Sequence, residues 1–162
     1  KHGATIAYGL LFISLLAYSD AAEWGAGAVY VTDERIDVCS TPWQDEKHEA
    51  QVDREARAAT IALERLDAET TCGRVLLAVD AAALVYAEKK GFSQNPHICE
   101  FVQAARTRHV RVFHICSGAN VADAPSRGQE PPSAATVRGE IRNLSETFER
   151  SRIINEHPRS RW

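Results

Sequence analysis

The chain has 162 residues, of which 44% are hydrophobic and 25% charged, so it can bury one sizeable core and does not have the composition of a disordered chain. Its formal charge of −3 excludes a protein coated in basic surface, so any nucleic-acid contact must come from a local patch. The four cysteines, Cys39, Cys72, Cys99 and Cys116, form no CxxC pair, which speaks against a ribbon-type zinc site.

The first apolar run, residues 6–18, follows Lys1 and His2. It has the makings of a secretory segment, but an acid, Asp20, comes straight after it, and it is too short to cross a bilayer. LLFISLLAYSD, residues 10–20, reads better as a strand that is apolar on both faces, as in a sheet covered on both sides. Two β-branched and aromatic runs in EWGAGAVYVTDERIDVCST, separated by TDE, read as a hairpin and complete a three-strand antiparallel meander. In residues 49–66, Val52, Ala56, Ala59, Leu63 and Leu66 recur at steps of four and three, which predicts a helix with one buried stripe.

GRVLLAVD, residues 73–80, is a short strand ending in an acid, and AAALVYAEKK is a helix stopped by Gly91. PHICEFVQAART then reads as a helix, HVRVFHI as a strand and RGQEPPS as a breaker. Residues 134 to about 154 form an amphipathic helix with a basic tail. Strands alternating with helices after a meander imply an α/β domain with a mixed five-stranded sheet flanked by helices. No repeat or long linker divides the chain, so a single domain is expected over 1–162, with a core at about 10–154 and a tail at 155–162.

Asp20 closes the first strand, Asp80 the fourth, and Asp123 follows the fifth by a short loop. Ligands gather at strand ends in α/β sheets, and acids brought together there repel unless something positive joins them. A hard divalent cation with oxygen ligands is the usual solution. Glu49 and Glu55 each lie about 60° from the centre of the helical stripe, so periodicity leaves both as a fourth acid. Singly, each aspartate also has a structural reading: a turn acid at Asp20, a helix cap at Asp80, and a turn before Pro125 at Asp123.

The ordered blocks YSDAAEWGAGAVYV, EARAATIALERL, LLAVDAAALVYAEKKGFSQN and HICSGANVADAPSRG resemble the ribonuclease H domain of reverse transcriptases. The last block, with its N-x-A-D and SR, is similar to polymerases of long-terminal-repeat and tyrosine-recombinase retroelements or hepadnavirus-like elements. The resemblance spans about residues 10–127 and implies a ribonuclease H-like fold. It places the catalytic, metal-binding acids on Asp20, Glu55, Asp80 and Asp123, and the helix register selects Glu55 over Glu49. It implies two Mg²⁺ ions, with Mn²⁺ as a substitute, and cleavage of the RNA strand of RNA/DNA hybrids during reverse transcription. It also implies a polymerase domain of the same polyprotein as partner and an intracellular setting, in the cytoplasm or nucleus, within a retroelement particle or polymerase complex. A domain cut from such a polyprotein would lack an initiator methionine, as this chain does.

Ala81 stands where the family commonly has Ser or Asn, and no basic protrusion separates Asp80 from Asp123. Grip on a hybrid would then fall to Lys89, Lys90, Arg106, Arg108 and Arg111, unless these are a solvated face or helix-end charges. His114 matches a histidine that some members place before the last acid, set against an ordinary half-buried strand histidine. His97-Ile98-Cys99 and His114-Ile115-Cys116 repeat one tripeptide, a weak zinc candidate because i and i+2 share a face only on a strand. The readings from other classes are a catalytically silent ribonuclease H-like connection or protein-binding module, and a secreted disulfide-stapled domain.

Overall fold

A computed structural model describes residues 15–45, 49–66 and 74–156, with side chains up to 146. Residues 10–14 of the expected first strand, Cys72 and the end of the tail from 157 lie outside the described residues. Strands β1 (Leu15–Ala21), β2 (Gly25–Val31) and β3 (Ile36–Pro42) form the antiparallel meander. Helix α1 (Gln51–Glu64) crosses to β4 (Val75–Val79), and α2 (Ala82–Lys90) and α3 (Pro96–Thr107) lead to β5 (Arg111–His114). The sheet order is β3-β2-β1-β4-β5, with β1–β4 and β4–β5 parallel. A 3₁₀ turn (Ser117–Ala119), a short helix α4 (Asp123–Ser126) and a long helix α5 (Ala134–Glu156) complete the chain.

Both faces of the sheet are covered, which is why β1 and β2 are buried at every position. On one face Leu15, Ala17, Leu77 and Val79 pack with Ala59, Leu63 and Phe101 of α1 and α3. On the other, Leu16, Tyr18, Val29 and Val31 pack with Val137 and Ile141 of α5. The buried stripe of α1 is wider than the periodicity predicts, because Ala58, Ala62 and Thr60 are small enough to join Ala56, Ala59 and Leu63 against the sheet. The Tyr30 hydroxyl donates to the Ala62 carbonyl at 2.6 Å and fixes that contact.

Local chemistry sets the ends. Gly91 closes α2 in the left-handed region at φ 84°, as a C-terminal glycine does. Asn95 caps α3, its side-chain oxygen accepting from His97 and Ile98 N–H ahead of Pro96 at the first helical position. The Asn95 amide also donates to Asp53 Oδ1 at 2.5 Å, tying the α3 entry to α1.

Gly27 pairs with Asp20 across β1 and β2. A Cβ at Gly27 would collide with the Ala122 carbonyl oxygen and the Ser126 N–H, both backbone atoms of the α4 segment. The missing side chain is what lets that segment, with Asp123, close onto the sheet beside Asp20. Gly27→Ala is expected to lower unfolding stability by about 1–3 kcal/mol through overpacking, read as a fall in the urea midpoint. Gly139→Ala, where nothing lies within 4 Å in the middle of α5, should raise it by about 0.5–1 kcal/mol. Equal effects of the two substitutions would disprove the close approach.

Candidate active site

The carboxylates of Asp20, Glu55 and Asp80 meet at the ends of β1 and β4, where all three ligand atoms lie within 4.8 Å of one another. They arrive from three elements: Asp20 from within β1, Glu55 from the second turn of α1, and Asp80 from the residue after β4. Because β1 and β4 are parallel neighbours, both deliver their acids to the same end of the sheet, at the C-terminal ends of the strands. Asp20 and Glu55 are buried, at 5% and 8% exposure, which is the unusual part, since carboxylates are rarely buried without a partner.

No Lys or Arg among the described residues forms a salt bridge with these three acids. Burial, then the charge of Asp80, pushes the Asp20 carboxyl up to about 7. Burial, then the charge of Asp20, pushes Glu55 up to about 8. Asp80 is raised as well, chiefly by burial, against a hydrogen bond from Asn120 that lowers it. Buried oxygens crowded together and short of positive charge are the donor set that a hard divalent ion takes up. Asp20, Glu55 and Asp80 could therefore hold such an ion.

Asp123 stands outside the 4.8 Å group but within reach of Asp20, whose carboxyl it raises by charge and by hydrogen bonding. It opens α4 rather than lying in a loop, and it pairs with Arg127 one turn on, Oδ1 to Nε 3.1 Å. Glu49 is elsewhere, with Oε2 2.7 Å from Nη1 of Arg57, whose guanidinium also lies over the Trp43 ring. Glu55 is the glutamate that joins the aspartates.

No protein-family model matches the chain, and no curated protein matches it. Among solved structures, LC11-RNase H1, isolated from compost by a metagenomic approach, superposes with a TM-score of 0.56 at 18% identity, covering 69% of this chain and 91% of that one. LC11-RNase H1 in complex with an RNA/DNA hybrid superposes at 0.54 and 15% identity, over 71% and 95%. The prototype foamy virus protease-reverse transcriptase gives 0.45 at 14% identity, over 93% of this chain and 22% of that one.

The chain has the ribonuclease H fold. On this ribonuclease H-like frame His114 is the last residue of β5 and is exposed rather than half-buried. Its Nε2 lies 3.2 Å from the Asp80 carbonyl oxygen, and since a carbonyl only accepts, that nitrogen carries the proton when the bond forms. Lys89 and Lys90 end α2, about 11 Å along the helix from its first residue, Ala82. Arg111 pairs with Leu76, at the other end of the sheet from the acids. Arg106 donates to the Glu88 carbonyl and Arg108 to the Ala104 carbonyl, so these five cations gather away from the carboxylates.

His97 and Cys99 share no ligand cluster with His114 and Cys116 among the described residues. The Cys99 thiol instead donates to the Ser93 carbonyl at 2.6 Å, and Cys39, Cys99 and Cys116 are free. No helix among the described residues is long and apolar enough to cross a membrane. Two side chains at the site, Gln51 and Asn120, had no role assigned from sequence. Gln51 was findable because it stands four residues before Glu55 on one helix face. Asn120 sits in the NVAD block itself, but its partner Ser19 is 101 residues away.

Because folding raises Asp20 and Glu55 above the ordinary carboxylate range, the native state binds more protons than the unfolded one between about pH 4 and 8. The metal-free protein is therefore expected to lose stability as pH rises through that window, its Tm falling from pH 5 to pH 8. Excess Mg²⁺ or Mn²⁺ should restore the loss at pH 8 and do little at pH 5, where protons compete for the same oxygens. A metal-free Tm that climbs from pH 5 to pH 8 would contradict this electrostatic account.

Proposed function

We propose that the chain is a metal-dependent ribonuclease H that cuts the RNA strand of RNA/DNA hybrids. The observation that carries this is the cation-poor triad of buried Asp20 and Glu55 and part-buried Asp80 on a ribonuclease H fold. We assign Asp20, Glu55, Asp80 and Asp123 as the ligands of a pair of Mg²⁺ ions, with Mn²⁺ as a substitute. When bound, such a pair supplies water activation and charge stabilisation at the attacking and leaving oxygens of an in-line displacement.

The residues of the chain prepare that chemistry. Asp20 and Glu55, buried at that end of the sheet, hold their oxygens away from competing water. Asp123, half-exposed and paired with Arg127 on the surface, is the ligand free to adjust, because an exposed pair of this kind is worth little. His114, whose Nε2 reaches the Asp80 carbonyl, would contact substrate or product. Ala81 offers α2 no side-chain cap, so the Asp80 neighbour adds no hydrogen bond to the reaction.

Lys89, Lys90, Arg106, Arg108 and Arg111 would meet the hybrid away from the cut bond. Their contacts would go to phosphates, which position a duplex without reading its sequence. The NVADAPSR block further suggests the setting: one domain of a retroelement reverse-transcriptase polyprotein, acting beside its polymerase domain inside the cell.

Incubation of the purified chain with a labelled RNA/DNA hybrid in Mg²⁺ or Mn²⁺ should give cuts confined to the RNA strand, and Asp80→Asn should abolish them. Hybrid binding without any metal-dependent cutting, with polymerase domain added, would assign the silent module instead. Lys89→Ala with Lys90→Ala should weaken hybrid binding and flatten its salt dependence by about one unit of slope for each phosphate that is no longer neutralised. Cleavage of bound hybrid should persist. An unchanged salt slope would remove the two lysines from the interface.

A further inference from the structure

Gln51 is the first residue of α1 and is exposed. Its Nε2 donates to Glu55 Oε1 at 2.8 Å and to the Ala21 carbonyl at 2.9 Å. Asn120 is buried on the other side of the site. Its Nδ2 donates to the Ser19 carbonyl at 2.9 Å. Its Oδ1 accepts from the Ala122 N–H at 3.1 Å, one residue before Asp123.

The two carbonyls belong to the residues immediately before and after Asp20 in β1. Each amide thus spends one N–H on the β1 backbone beside Asp20; Gln51 spends the other on the Glu55 carboxylate, and Asn120 uses its oxygen to hold the backbone just before Asp123. A primary amide suits this geometry: it offers two donors on one nitrogen without adding charge. A hydroxyl would offer one donor, and an acid would add to the repulsion.

We propose that Gln51 and Asn120 are positioning residues, a two-amide clamp that fixes the Glu55 carboxylate and the Asp123 segment relative to Asp20 before a divalent cation arrives. The inference rests on the metal-site reading given above. Without the clamp, like charges would drive the carboxylates apart, and the cation would have to gather them at the expense of its own binding. Hydrogen bonds behind metal ligands commonly set affinity in this way.

The test is calorimetric titration of the purified chain with Mn²⁺ alone, beside Tm without metal and hybrid cleavage across metal concentrations. Gln51→Leu keeps a good helix former at an exposed position and removes both donors. It should raise the Mn²⁺ dissociation constant about tenfold and lower the metal-free Tm by only a few degrees. The metal concentration for half-maximal cleavage should rise in parallel, while the rate at saturating metal stays near that of the wild type. Asn120→Ser, at the buried position, should weaken Mn²⁺ binding in the same direction, and if it does not fold, Gln51→Leu decides the matter alone. Equal Mn²⁺ affinity in wild type and Gln51→Leu would overturn the clamp and leave the metal site standing. A wild type that binds no Mn²⁺ would overturn the metal site and the clamp with it.

Discussion

The repulsion among three carboxylates at one end of the sheet is the constraint around which the rest of the structure is arranged. Asp20, Glu55 and Asp80 would separate if their elements were free to move, because burial strengthens like-charge repulsion and no salt bridge relieves it among the described residues. What keeps the elements that carry them from moving apart is the packing behind them. β1 lies at the centre of the sheet, hydrogen-bonded on both sides to β2 and β4. α1 is held against it by Ala56, Ala59 and Leu63. Strain that would relax on a loop is here resisted by two cores at once.

Alanine and glycine at the contacts serve the same end. α1 meets the sheet through Ala56, Ala58, Ala59 and Ala62, and small side chains let the helix sit close enough for Glu55 to reach the strand ends. Gly27 does the equivalent for the α4 segment on the neighbouring strand. Close backbone approach, rather than long reach by side chains, brings the acids together, and short side chains lose less freedom when fixed.

The elements were largely legible because two physical periods dominate the sequence. PHICEFVQAART is helical over its whole length, and VTDERID is a hairpin turn with Thr32 N–H bonded to the Arg35 carbonyl. What the periods could not provide was depth. Glu49 and Glu55 are equivalent on a helical wheel, yet α1 begins at Gln51 and leaves Glu49 to Arg57. Resemblance in sequence register, not periodicity, picked Glu55. The α4 helix was not legible because four residues, Asp123–Ser126, are too few to show a period. The basic residues were found as a set, but their distance from the acids was hidden, since Arg111 and His114 are three residues apart in sequence and at opposite ends of one strand.

That separation keeps the carboxylate cluster and the basic residues from quenching one another. Cations placed among the acids would neutralise Asp20 and Glu55 and displace the metal, whereas cations at the far end of α2 and β5 leave the carboxylate cluster short of positive charge. Under the proposed function, neutralising the acids would fall to divalent ions, and holding a duplex to side chains away from the carboxylates. Asp123 is the exception that fits the rule. Its arginine partner lies on the exposed side, at 55% exposure, where water screens the pair and Arg127 can turn to a phosphate without uncovering a buried charge. The same fold that concentrates negative charge at one end of the sheet therefore keeps its permanent positive charges where they do not quench it.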